Sequence, residues 1–182
     1  MATAEQGCLQ KSDAIVLIGM PGSGKSTAGA LAAKNLGWSF IDTDRLIEEQ
    51  QCCSLQHLVD TRGYLALRHI EEALLVTLEP RRAVVATGGS AAYSDAAMRH
   101  LRSRAAVLYL YVPFSELEHR VRDFSSRGIA RRPDQSFFDL FQERSVLYNK
   151  YADITIDAAG NSPDELSERI VDAFRRHVLR PE

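Results

Sequence analysis

Apolar residues cluster along the chain in five short runs: Ala14 to Ile18, Trp38 to Ile41, Ala83 to Ala86, Ala105 to Val112 and Asp153 to Ile156. Longer segments of mixed polarity, repeating at helical spacing, separate them. The runs are apolar throughout instead of alternating with polar residues, the pattern of strands covered on both faces. The expected fold is therefore α/β, a three-layer sandwich whose five-stranded parallel sheet lies between helices. Helix starts are written in the same code. Ser115 to Glu118 has capping-box spacing, and Ser162, Pro163 and Glu165 combine an N-cap, an N1 proline and a capping box. In the last segment Leu166, Ile170, Phe174 and Val178 recur every four residues, predicting one apolar stripe laid on the sheet.

At 182 residues the chain has the length of a single domain over 1–182, and no repeat, linker or low-complexity stretch divides it. A net charge of −2 lacks the basic excess of a dedicated nucleic-acid binder, so no nucleic-acid partner is expected. The longest apolar run is too short to span a bilayer, and Met1 to Ser12 has no apolar signal core, so a cytoplasmic protein without a membrane partner is expected. Cys8, Cys52 and Cys53 make no disulfide framework, and the adjacent pair reads as part of a helix.

The strongest chemical signal is Gly19-Met20-Pro21-Gly22-Ser23-Gly24-Lys25-Ser26, which matches GxxxxGK[ST] between an apolar strand and a helical segment. Such a loop wraps phosphate oxygens in backbone N–H groups, sends its lysine to the β- and γ-phosphates and offers its hydroxyl to magnesium. Gly22, Ser23, Gly24, Lys25, Ser26 and Thr27 are thus the candidate seat of ATP and Mg²⁺. Asp42-Thr43-Asp44 follows the second run, seventeen residues after Lys25. The C-terminal ends of parallel strands face the ligand crevice, so one carboxylate there can serve the magnesium shell and the other an attacking hydroxyl. An N-cap aspartate before a helix at Arg45 to Gln50 is the competing use. Thr87-Gly88-Gly89-Ser90 ends the third run and offers either a close approach of substrate to backbone or a tight turn. Five arginines fall between Arg120 and Arg132, either as a mobile flap over ATP or as a solvated basic helix face.

Taken in order, the P-loop, Asp42 and Asp44, Arg68 with Glu71, Gly88-Gly89, Arg132-Pro133 and Arg144 through Tyr148 resemble the shikimate kinase family over nearly the whole chain. The resemblance implies a P-loop NTPase fold of the nucleoside-monophosphate-kinase type, with a lid at about 122–136 and an acceptor-binding helical region at about 43–72. It implies ATP-dependent phosphorylation of shikimate, a step of aromatic amino-acid biosynthesis; a monomer is the default expectation. It places Asp44 on the acceptor hydroxyls, Asp42 on magnesium with Ser26, and Arg68 and Arg144 on the acceptor carboxylate beside Gly88 and Gly89. Arg132 is placed on the ATP phosphates, and Pro163 beside adenine, where Arg122 or Arg127 is expected to stack. Lys25, Asp44 and Arg132 are the expected catalytic residues. Two arginines around a carboxylate make chemical sense, although Arg68 also has Glu71 and Glu72 in reach along a helix. Three positions depart from the family pattern: Ser90 replaces a third glycine, Tyr64 a glutamate and Leu67 a phenylalanine. All three fall near the expected acceptor pocket, leaving a gluconate-like sugar acid, or an ATP-binding switch without an acceptor, as the alternatives.

Overall fold

The three inner apolar runs become strands because their Val, Ile, Leu and Ala side chains leave water on both faces of one sheet, and the two outer runs extend it as half-covered edges. In the computed structural model, which describes residues 13–121 and 128–179, the strands are β1 (Ala14–Ile18), β2 (Ser39–Asp42), β3 (Ala83–Ala86), β4 (Ala106–Tyr111) and β5 (Ile154–Asp157). They pair in parallel in the order β2-β3-β1-β4-β5. Val16 at the centre is aligned with Val85 on one side and Val107 on the other. Parallel pairing requires crossovers, which the helices supply: α1 (Lys25–Leu36), α2 (Thr43–Gln51), α3 (Leu55–Arg62), α4 (Tyr64–Leu75), α5 (Asp95–Arg102), α6 (Phe114–Arg120), α7 (Phe137–Tyr151) and α8 (Pro163–Val178). A single 3₁₀ turn, Ala91–Tyr93, leads from β3 toward α5.

The main core runs through β1, β3 and β4 into α1, α5, α7 and α8, where Trp38 meets Phe174 edge to face at 5.4 Å. A smaller cluster of Ile47, Leu58, Leu67 and Ala130 ties α2, α3 and α4 to the segment before α7. So small a core makes this region easier to open than the sheet.

Register puts the chemistry at one edge. Asp42 and Leu17 are both aligned with Ala86, and the Thr87 N–H donates to the Leu17 carbonyl at 3.1 Å. The residues following β1, β2 and β3 therefore emerge side by side.

Several local expectations are corrected. The helix after β4 begins at Phe114 behind Pro113 with no side-chain cap, so Ser115 is inside it. Pro113 pre-sets an extended backbone and ends the strand, making a serine cap unnecessary. Cys52 is not helical: it closes α2 in the left-handed region at φ 53°. The apolar stripe of α8 holds at Leu166, Ile170 and Phe174, but Val178 is 40% exposed where the helix outruns the sheet. The Ser162 capping box with Pro163 at the first turn forms as expected.

Candidate active site

A cavity of about 580 Å³ opens at the strand ends and is lined from three directions. The β1–α1 loop contributes Gly22, Gly24, Lys25, Ser26 and Thr27. The α2–α4 region contributes Asp44, Glu48, Leu67 and Glu71. The β3 turn contributes Gly88, Gly89 and Ser90, with Ala130 and Arg144 closing the far side.

At the first wall, Lys25 opens α1 behind the left-handed Gly24 and is buried. Its Nζ donates to the carbonyls of Gly19 at 2.8 Å and Met20 at 2.9 Å. Burial pulls its pKa down to about 8, against the raising influence of Asp44. Ser23 is buried beneath the loop and does not line the cavity. Its N–H instead donates to the Met20 carbonyl at 3.1 Å, which fixes the turn. Arg120, at the end of α6, braces the loop from behind by donating to the carbonyls of Gly22 at 3.2 Å and Ala158 at 3.3 Å, while its guanidinium also pairs with Glu116.

At the second wall the two aspartates separate. Asp42 is the N-cap of α2, its Oδ1 accepting from the N–H groups of Asp44 at 3.1 Å and Arg45 at 3.4 Å. The capping use is therefore real for Asp42, and it is this cap that turns Asp44 into the cavity. Burial raises Asp44 to about 6, with Lys25 opposing and Asp42 adding to the rise. Glu71 sits on the buried stripe Leu67, Glu71, Leu75 of α4 and is 2% exposed. Its Oε2 accepts a short hydrogen bond from the Ser90 hydroxyl, and its Oε1 has no hydrogen-bond partner among the described residues. Burial, then the neighbouring Asp44, push its carboxyl up to about 7. Gly88 is required here, since a Cβ at that position would collide with both Glu71 Oε1 and Asp44 Oδ1.

At the far wall Arg144 is 1% exposed and donates from Nη2 to the Ala130 carbonyl at 2.8 Å, while its Nε has no partner among the described residues. A Cβ on Gly89 would lie 2.5 Å from its Nη1, so the glycine pair lets the guanidinium reach the cavity floor. The Tyr148 hydroxyl, one turn along α7, donates to the Gly89 carbonyl at 2.6 Å and fixes that floor.

Besides Ser23, four candidate site residues lie off the cavity lining. Arg68 makes no ion pair with Glu71 or Glu72. Its guanidinium carbon stacks 3.4 Å over the Tyr93 ring, and its Nη2 donates to the same Ala130 carbonyl at 3.3 Å. Arg132 is half-exposed and paired with Glu143 at 3.0 Å, in a network where Glu143 also accepts from Tyr93 at 2.5 Å and Gln135 at 2.8 Å. Pro163 is exposed at the start of α8, and Asp42 stands behind Asp44. Arg122 and Arg127 fall outside the described residues. Sequence reasoning took Glu71 only as a partner for Arg68, grouped Arg120 with the flap arginines, and overlooked Tyr93 and Glu143. Glu71 carried a readable signal, a carboxylate on an apolar stripe of period four. Tyr93 and Glu143 carried none, because they meet each other across fifty residues, and the reach of Arg120 to the Gly22 carbonyl spans ninety-eight.

The family model described as shikimate kinase matches residues 21–175. This chain belongs to the shikimate kinase family. A shikimate kinase from Thermodesulfovibrio yellowstonii is 33% identical over 165 residues, spanning 89% of this chain and 95% of the relative. A shikimate kinase from Acinetobacter baumannii, solved in complex with shikimate, is 28% identical with a TM-score of 0.84, covering 92% of this chain and 96% of that one. A thymidylate kinase from Candida albicans, 13% identical with a TM-score of 0.51, shares the fold alone. Of the three departures from the shikimate kinase pattern, Ser90 and Leu67 line the cavity while Tyr64 opens α4 outside it.

Proposed function

We propose that this chain transfers the γ-phosphate of ATP to a hydroxyl of shikimate, giving shikimate 3-phosphate, as a cytoplasmic monomer that uses Mg²⁺. The observation carrying this reading is the shared cavity: phosphate loop on one wall, and on the others Asp44, Glu71 and Arg144, of which Glu71 Oε1 and Arg144 Nε are buried with no hydrogen-bond partner among the described residues. Buried polar groups without partners cost roughly 1–3 kcal/mol each, so the two that belong to this pocket favour a polar ligand there over a pure ATP switch. The free thiols of Cys52 and Cys53 suit a reducing compartment.

In this mechanism Gly22, Gly24, Lys25, Ser26 and Thr27 hold the triphosphate, and Lys25 exchanges the Gly19 and Met20 carbonyls for β- and γ-phosphate oxygens. Arg144 takes the acceptor carboxylate, with Arg68 entering from its position on Tyr93. Asp44 accepts a hydrogen bond from the attacking hydroxyl and aligns it in line with the γ-phosphate. Phosphoryl transfer is mainly positioning and charge stabilisation, and Asp44 needs no strong basicity for it. Arg132 reaches the phosphates once it leaves Glu143.

Magnesium is held largely by phosphate oxygens and water with one or two protein oxygens, and Ser26 with Asp42 is a donor set of that size. No group of three or more His, Cys, Asp or Glu among the described residues forms a cage, which agrees with that mode. When bound, the ion neutralises charge on the β- and γ-phosphates.

The test is ADP release with Mg²⁺ and ATP, with shikimate in parallel with quinate, gluconate and homoserine. Release that depends on shikimate and is lost in Lys25→Ala is the expected result. Release with gluconate in preference to shikimate, or tight ATP binding without release on any acceptor, overturns the assignment.

A further inference from the structure

The 3₁₀ turn after Gly88-Gly89 does something the phosphate loop and the arginines do not. Arg68 and Glu71 are three apart on α4, close enough to neutralise each other. They do not. Two residues of the turn region separate them: Ser90 takes the carboxyl of Glu71, and Tyr93 takes the guanidinium of Arg68 under its ring. The two charges are thus held by different partners: Glu71 lines the cavity, whereas Arg68 lines only a neighbouring pocket that Glu71 and Ser90 also border.

The hydrogen bond from Ser90 also decides which way Glu71 faces. With Oε2 held by Ser90, the other oxygen, Oε1, is buried, has no partner among the described residues and lies against the position that a Cβ on Gly88 would take. Asp44 Oδ1 converges on the same point from α2. Two carboxyl oxygens thus meet over one glycine, with Ser90 itself only 7% exposed.

We propose that Ser90 is a positioning and specificity-determining residue, whose hydroxyl sets the Glu71 carboxyl beside Asp44 and so builds a receptor for two adjacent hydroxyl groups of the acceptor. Asp44 receives the hydroxyl that attacks, and Glu71 Oε1 receives its neighbour on the ring. This rests on the reading of the cavity as the acceptor site. It deepens that reading, because Ser90 stands where the family pattern has a third glycine, which offers no side chain to hold Glu71. The groups facing Glu71 are Asp44 from α2, Lys25 from α1, Arg144 from α7 and Ser90 from the turn. Its raised midpoint near 7 agrees with a carboxyl kept close to a second one and shielded from water.

The experiment compares wild type, Ser90→Ala and Ser90→Thr with shikimate and with its 4-deoxy analogue, which lacks the hydroxyl next to the one phosphorylated. Ser90→Ala should raise the KM for shikimate about tenfold with a smaller change in kcat, the size of one lost buried hydrogen-bonding arrangement. The KM for ATP should be unchanged. The preference of wild type for shikimate over the deoxy analogue should shrink by a similar factor in Ser90→Ala and return in Ser90→Thr, which restores the hydroxyl. A merely structural serine would lower activity toward both acceptors alike. An active wild type whose Ser90→Ala variant keeps both the shikimate KM and the discrimination overturns the role of Ser90 alone. A wild type inert toward shikimate overturns the acceptor reading and the specificity role with it.

Discussion

Replacing Glu71 by glutamine should stabilise the protein at alkaline pH while damaging its acceptor site. Folding moves the midpoint of this carboxyl from its ordinary 4.5 to about 7, chiefly through burial and secondly through Asp44. The folded chain therefore binds the proton more tightly than the unfolded chain, and stability falls as pH rises through that window. Below about pH 4.5 the group is neutral in both states and costs nothing; above about pH 7 its penalty is complete. At about 1.4 kcal/mol per tenfold change in proton affinity, the penalty is roughly 3 kcal/mol. Glutamine keeps the shape, its carbonyl still accepts from Ser90, and its amide donates toward Asp44. Urea unfolding should find Glu71→Gln more stable than wild type by about 2–3 kcal/mol near pH 8, with the two converging near pH 5. Asp44, itself raised to about 6, is coupled to Glu71 and loses a neighbouring negative charge in the variant, so the difference between the two proteins reports Glu71 together with its repulsion by Asp44. A variant that is no more stable at pH 8, or a difference that does not change with pH, would refute the reasoning.

Removing the guanidinium in Arg144→Ala should raise the shikimate KM by about 10²-fold with a smaller loss of kcat, since paired charge-assisted hydrogen bonds to a carboxylate disappear. Arg144→Lys should recover little, because an ammonium cannot replace the fork; steady-state kinetics with equal loss in kcat and an unchanged KM would contradict this. Gly22→Ala puts a Cβ 2.7 Å from Val121 Cγ2 at a φ of +82°, so the loop must shift. The variant should lose about 1–2 kcal/mol of stability and bind ATP at least several-fold more weakly, read by thermal melting and the ATP KM; a wild-type KM for ATP would contradict it.

How far the chain can be read without its fold differs from element to element. The strands were legible because a doubly covered strand must be apolar at every position, and each run came within a residue or two of its strand. β5 moved by one residue because Asp153 turns its side chain to the Val107 N–H at 2.9 Å and the ladder begins at Ile154. The glycine-rich loop was legible because the phosphate contacts proposed for it fall in one contiguous segment. The Ser115 cap misled because the same spacing occurs inside a helix that Pro113 had already started.

The acceptor side needed the tertiary structure. Lys25, Asp44, Gly88 and Arg144 could be named one by one, yet their common cavity depends on the register of three strands and on α7 returning to the β3 turn. The fate of Arg68 shows the reason most clearly. Along the helix its nearest partners are Glu71 and Glu72, and local spacing favours an ion pair. In the fold Tyr93 and Ser90, distant in sequence, take the two charges separately. Apolar periodicity and loop composition are short-range properties carried by neighbouring residues, which is why the sheet and its glycine-rich loop could be read from the chain alone. Which polar atoms end up buried without partners is a long-range property of packing, and only the tertiary structure decided that Glu71, Ser90 and Arg144 would face one another across a single pocket.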